Sequence, residues 1–139
     1  LGANPLANVK VQGFFTGDTK EIPVFLPGEI ILIKAEALAR KNDLPGAISE
    51  LNKVLTKNND IFGVNANLPA YSGPQTQDAV LQEIYRNRCI EMYMSGLKLE
   101  DGRRFSRPGP PGGERNRNYY PYPLRERDNN PNTPGAPTI

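Results

Sequence analysis

Residues 29–55, EIILIKAEALARKNDLPGAISELNKVL, constrain the fold of this chain more than any other stretch. Ile31, Ala35 and Leu38 recur at three- and four-residue steps, and Ile30, Leu32 and Ile33 widen the apolar face. That is the pattern of a helix buried along one side. Asp43 is placed to cap a second helix, because its carboxylate can accept from backbone N–H groups that have no partner in the first turn. Pro45 falls in that turn, where a missing N–H removes no helical hydrogen bond. Ala47, Leu51 and Val54 continue the stripe, flanked by Ile48 and Leu55. Two helices joined this closely must pack antiparallel, and Ala35 and Ala47 are small where the backbones approach.

The order of residue types resembles one tetratricopeptide unit: small Ala35, large Leu38, a turn at Asn42, Asp43 and Leu44, then Ala47, Leu51 and Val54. Lys34 stands where that repeat has an apolar residue, and Asn59 where it often has proline. An ordinary helical hairpin accounts for the same residues.

Beyond the hairpin, residues 57–75 (KNNDIFGVNANLPAYSGPQ) have no period and are rich in Asn, Gly and Pro. A loop of this length inside a domain reads as a functional or a mobile one. Phe62 and Tyr71 sit among polar neighbours. Either ring could stack on the flat C–H face of a sugar, or pin the loop to the body. Tyr71 is the candidate ligand-binding residue. Thr76 then caps a third helix over residues 77–95, with Val80, Leu81, Ile84, Tyr85, Cys89, Met92 and Tyr93 on its buried side and Gly96 as its stop. Arg88 and Glu91, three apart, can pair on one face of it.

The two ends carry less pattern. Val9, Val11, Phe14 and Phe15 suit a short extended segment, Gly17 and Asp18 a turn, and Ile22 to Phe25 a returning edge interrupted by Pro23. Residues 97–107 read as a charged connector anchored by Leu97, Leu99 and Phe105. Eight of the 14 prolines lie from Pro108 onward, so the tail reads as coil. Within it Tyr119, Tyr120, Pro121, Tyr122, Pro123 and Leu124 form an apolar island expected to lie back on the helices.

Composition removes whole classes of chemistry. With no histidine, His-dependent acid–base pairs, Ser-His-Asp and Cys-His arrangements and the usual zinc sites are out of reach. The single cysteine, Cys89, forms no internal disulfide and reads as a small hydrophobe. Seventeen basic residues against 15 acidic leave a net charge of +2, which calls for no polyanionic partner. Arg115, Arg117, Arg125 and Arg127 do interleave with Tyr119, Tyr120 and Tyr122, a composition shared with single-strand nucleic-acid binders, but Glu114, Glu126 and Asp128 dilute the charge. Glu91, Glu100 and Asp101 could supply the carboxylates of a glycosidase, yet nothing in the sequence sets their separation. No apolar run approaches the roughly 20 residues of a membrane-spanning helix.

Three stretches together resemble the SusD/RagB family of cell-surface nutrient-binding lipoproteins. Residues 29–54 are similar to the family's helical hairpin. Residues 84–107, IYRNRCIEMYMSGLKLEDGRRFSR, resemble its pattern of Arg, Glu three later, Gly, a basic residue, Asp and Arg, filled by Arg88, Glu91, Gly96, Lys98, Asp101 and Arg104. Lys98 stands where Arg is more usual and Ser95 where Glu is common. Residues 117–123, RNYYPYP, with Glu126, Asn130, Pro131 and Asn132, are similar to its closing segment.

The resemblance implies a mostly α fold: a tetratricopeptide-like hairpin, a third helix, long ordered coil and little β. It implies that residues 1–139 are the C-terminal part of a longer protein, whose N-terminal part would bear the lipid anchor at the outer membrane. That agrees with a chain starting at Leu1 without a signal pattern. The expected layout is an extended segment at 1–27, the hairpin at 28–57, a loop at 58–75, a helix at 76–95, and connector plus coil at 96–139. The implied function is non-catalytic capture of a glycan or other oligosaccharide for a SusC-like TonB-dependent transporter, with no cofactor, metal or nucleic acid. A tetratricopeptide-type scaffold for another protein is the alternative, and a glycosidase a more distant one. The family shares no ligand motif, so no ligand residue carries over.

Overall fold

The computed structural model describes residues 17–19, 21, 23–93, 95–109, 112–114 and 120–135. Five helices are found there: α1 (Pro27–Arg40), α2 (Leu44–Leu55), α3 (Gln77–Glu91), α4 (Lys98–Arg104) and α5 (Leu124–Asn129). No strand occurs among the described residues, so the mostly helical class expected from the sequence is the one observed. The chain divides into two compact units, Leu1–Met92 and Tyr93–Ile139.

In the first unit α1 packs on α2 and on α3, and α2 also meets α3. The turn between α1 and α2 is chemically specified. Asn42 takes a left-handed φ of 64°. The Asp43 N–H donates to Leu38 O at 2.9 Å and the Asn42 N–H to Ala39 O at 2.9 Å, so the last carbonyls of α1 are satisfied in a Schellman closure. Asn tolerates this φ better than most residues with a side chain. Asp43 then caps α2 as expected, accepting the Gly46 N–H at 3.1 Å, with Pro45 in the first turn. Thr76 caps α3 by accepting the Ala79 N–H at 3.4 Å. The Gln77 side-chain amide donates to Ala39 O at 2.8 Å, which ties the start of α3 to the end of α1.

The core is Leu32, Ala35, Ala39, Ala47, Leu51, Val54, Leu55, Val80, Ile84, Tyr85 and Met92, with Leu26 at the start of α1. On α2 the expected stripe of Ala47, Leu51 and Val54 is buried. On α1 the stripe is turned by one residue: Leu32, Ala35, Glu36 and Ala39 are buried, while Ile31 and Leu38 are half-buried and Ile30 is 52% exposed. The reason is that α1 is covered from two sides, by α2 and α3, and the mid-line of that cover falls along 32, 35 and 39. Lys34 faces outward and reaches Glu50 of α2 at 2.6 Å, and Lys53 holds the same carboxylate at 2.8 Å.

The third helix stops at Glu91, four residues short of the expected end, with Met92 as its C-cap. Gly96 does adopt a positive φ, of 84°, but serves the turn leading into α4. The stretch read as a charged connector holds α4, and the tail read as coil holds α5. In this second unit α4 carries Glu100 and Asp101 in its first turn and Arg103 and Arg104 in its last, each sign at the end the helix dipole favours. Arg104 pairs with buried Asp101 at 2.6 Å, and Arg103 with Glu100 at 2.9 Å. Arg107 pairs with Glu114, and the Tyr120 hydroxyl donates to Gly96 O at 3.2 Å.

Residues 23–26 precede α1 without forming a strand, leaving Val24 97% exposed. The expectations for Val9, Val11, Phe14, Phe15, Ile22, Arg115, Arg117 and Tyr119 lie outside the described residues.

Candidate functional site

The loop at 57–75 is held on the first unit by a set of hydrogen bonds that begins where α2 ends. The Leu68 N–H donates to Leu55 O at 2.8 Å and the Asn67 N–H to Lys57 O at 3.1 Å, closing residues 57–67 into a compact Ω-like loop. Asn67 makes the reversal with a φ of 45°. Inside it Asp60 is the organiser. Its carboxylate accepts from the Phe62 N–H at 3.0 Å, the Gly63 N–H at 3.1 Å and Lys57 Nζ at 2.8 Å. The Asn65 side chain bonds both the N–H and the C=O of Asp60, at 2.7 and 2.8 Å. Burial pushes the Asp60 carboxyl up, but the Lys57 ammonium and the Phe62 and Gly63 amides outweigh it and hold the carboxyl below the usual carboxylate range.

Glu91, the last residue of α3, fastens this loop to the helices. Its side chain is 2% exposed. One carboxylate oxygen pairs with Lys57 Nζ, and the other accepts the Val64 N–H at 3.3 Å. The i, i+3 spacing aims Glu91 at Arg88, and both residues are indeed buried. The observed ion pair, however, joins Glu91 to a lysine 34 positions away. A carboxylate buried this deeply needs a charged partner, and breaking such a pair costs about 3–5 kcal/mol. The lower part of the α3 stripe is accordingly polar: Asn87, Arg88 and Glu91 continue the buried side that Val80 and Ile84 begin. Cys89 is half-buried and Tyr93 51% exposed, outside the expected stripe. The pairing of Lys57 with Glu91 has no signature in one sequence, since it depends on where the loop returns in space.

The second half of the loop is pinned at Tyr71. Its N–H donates to the Asn52 side-chain oxygen at 2.7 Å, and its hydroxyl donates to Pro74 O at 2.8 Å. The ring lies close over Gly73, where an added Cβ would come within 2.7 Å of Cζ. Burial, with a smaller push from the Glu83 carboxylate, raises the Tyr71 phenol above its ordinary value. Tyr71 thus clasps its own turn while its ring stays partly exposed. Between the two fastenings the loop presents Ile61, 83% exposed, with Phe62 and Leu68 also open to solvent. The loop is hydrogen-bonded at its roots and apolar at its tip.

The helical hairpin, the third helix and a braced, apolar-tipped loop define a helical scaffold. A model of the SusD family matches residues 12–136, and the chain belongs to that family. No curated protein and no solved structure gave a significant match. The SusD family is one of nutrient-binding proteins of the cell surface. No helix among the described residues is long and apolar enough to cross a membrane.

Proposed function

We propose that this protein captures a glycan or other oligosaccharide at the outer membrane without transforming it, and passes it to a SusC-like TonB-dependent transporter. Membership of the SusD family carries the reading. The loop adds to it. A sugar ring offers a flat C–H face that an aromatic or branched apolar side chain can cover, provided the side chain is already held out to meet it. Ile61, Phe62 and Leu68 are exposed on a loop with anchored roots, and Tyr71 lies at its far end as the weaker candidate. A surface lipoprotein serves this role because the transporter lies in the same membrane.

The test is binding of the protein to a panel of soluble polysaccharides by affinity electrophoresis, followed by calorimetry on any hit. Saturable binding that falls on Phe62→Ala or Tyr71→Ala supports a site on this loop. Binding indifferent to both, and also to Ile61→Ala and Leu68→Ala, removes the loop from consideration, and release of smaller sugars from a bound glycan ends the non-catalytic reading. The alternative, a tetratricopeptide-type scaffold for another protein, draws on the exposed Phe25, Ile30 and Ile33 at and before α1. Loss of a protein partner on Ile30→Asp, with no glycan bound at all, would favour it.

A further inference from the structure

We propose that Glu91 is a positioning residue for the loop at 57–68, acting through Lys57, that Gly28 is a glycine because the Glu91 carboxyl group occupies the space a side chain would need, and that Gly63 is one because that carboxyl group, Lys57 and Asp60 together do. The use of that loop for ligand capture rests on the function proposed above; the positioning itself does not.

Four observations meet at one carboxyl group. Glu91 ends α3 and is almost wholly buried. It pairs with Lys57 at the loop's first residue and accepts the Val64 N–H on its returning side. A Cβ on Gly28, in the first turn of α1, would sit 2.6 Å from Glu91 Cδ and 2.8 Å from Cγ. A Cβ on Gly63 would meet Glu91 Oε1, Lys57 Nζ and Asp60 Oδ2 together. The carboxylate therefore lies between a helix start and a loop that are both trimmed to admit it. Lys57 also holds Asp60, so the Glu91 contact is relayed to the residue whose carboxylate fixes the Phe62 and Gly63 amides. An ion pair with little access to water keeps its strength where a surface pair would not. The tip that carries Ile61 and Phe62 is thus held from below by a group on another element.

The chain contains no tryptophan, so Phe62→Trp introduces a single indole at the tip. In that background Glu91→Gln, Lys57→Met and the double variant are compared with Glu100→Gln, which alters an exposed pair in the second unit. The readouts are the fluorescence anisotropy of that indole and hydrogen exchange at the Gly63 and Val64 amides. Positioning predicts that either single variant lowers the anisotropy and speeds exchange at Gly63 and Val64 by about tenfold or more while the amides of α1 and α2 keep their protection. The double variant is then no worse than the worse single one, because the two charges act as a unit. Unchanged anisotropy and unchanged loop exchange in the single variants overturn the proposal. So does acceleration spread equally over α1, α2 and α3, which marks Glu91 as general support. Should Glu91→Gln fail to fold, Glu91→Asp, which keeps the charge on a shorter arm, is read the same way. Both readouts are taken without ligand. A loosened loop in a protein that binds no glycan would leave this inference standing and remove the capture function, whereas glycan binding with a loop indifferent to Glu91 would do the reverse.

Discussion

The space that a side chain on Gly28 would need is filled by Glu91, whose Cγ lies 2.8 Å from the position of a Cβ there. Gly28 is helical, in the first turn of α1, so its lack of a side chain answers to packing and not to an unusual backbone angle.

Gly28→Ala should therefore destabilise the protein by about 1–3 kcal/mol, although alanine is the better helix former. Urea denaturation followed by circular dichroism measures it. A neutral or stabilising outcome would mean that Glu91 can withdraw cheaply, which its contacts to Lys57 and Val64 oppose.

The one-residue rotation of the α1 stripe separates two aliphatic residues that look equivalent in the sequence. Leu32→Ala, at a fully buried site on α1, should cost about 2–5 kcal/mol. Ile30→Ala, at a half-exposed site, should stay within about 1 kcal/mol. Equal losses in thermal unfolding would place Ile30 in the core after all.

Asp60 gives acid sensitivity a definite direction. Its carboxyl is held below the usual range in the folded protein, so the unfolded chain takes up the proton first as pH falls. The stability it contributes is complete above the unfolded value, about 4, and is lost as pH falls through the lower folded value. The gap in melting temperature between the wild-type protein and Asp60→Asn should be widest near neutrality and shrink below about pH 4. A gap constant from pH 7 to about pH 2.5 would show that the charge on Asp60 is irrelevant.

Ser106 closes α4 with a left-handed φ of 52°, the Arg107 N–H reaching Gly102 O at 2.8 Å and the Ser106 N–H reaching Arg103 O at 2.9 Å. Serine is strained there and glycine is not, so Ser106→Gly should stabilise by up to about 1 kcal/mol. The same change at Asn42 should gain less, because asparagine already tolerates that region. Differential scanning calorimetry of the two variants orders them, and a larger gain at Asn42 would contradict the argument.

The hairpin was legible because its ends are written in short-range chemistry. Asp43, Pro45 and Thr76 act on backbone groups within three residues, and the α2 stripe repeats over enough turns to show its period. The two short helices were hidden for the opposite reason. Seven residues in α4 and six in α5 span at most two turns, too few for a pattern, and α5 follows a proline-rich approach that reads as coil. For Tyr71 a candidate role was legible, whereas its bond to Asn52 was not.

By itself the sequence determined the helical class and the tight turn with its caps, since each depends on neighbours along the chain, and it carries the family match over residues 12–136. Only the tertiary structure decided which face of α1 is covered, that Glu91 answers to Lys57, and that the Glu91 carboxyl group lies against Gly28 and Gly63. A buried charge is satisfied by whatever group the fold brings within a few ångströms, and distance along the chain sets no limit on where that group comes from.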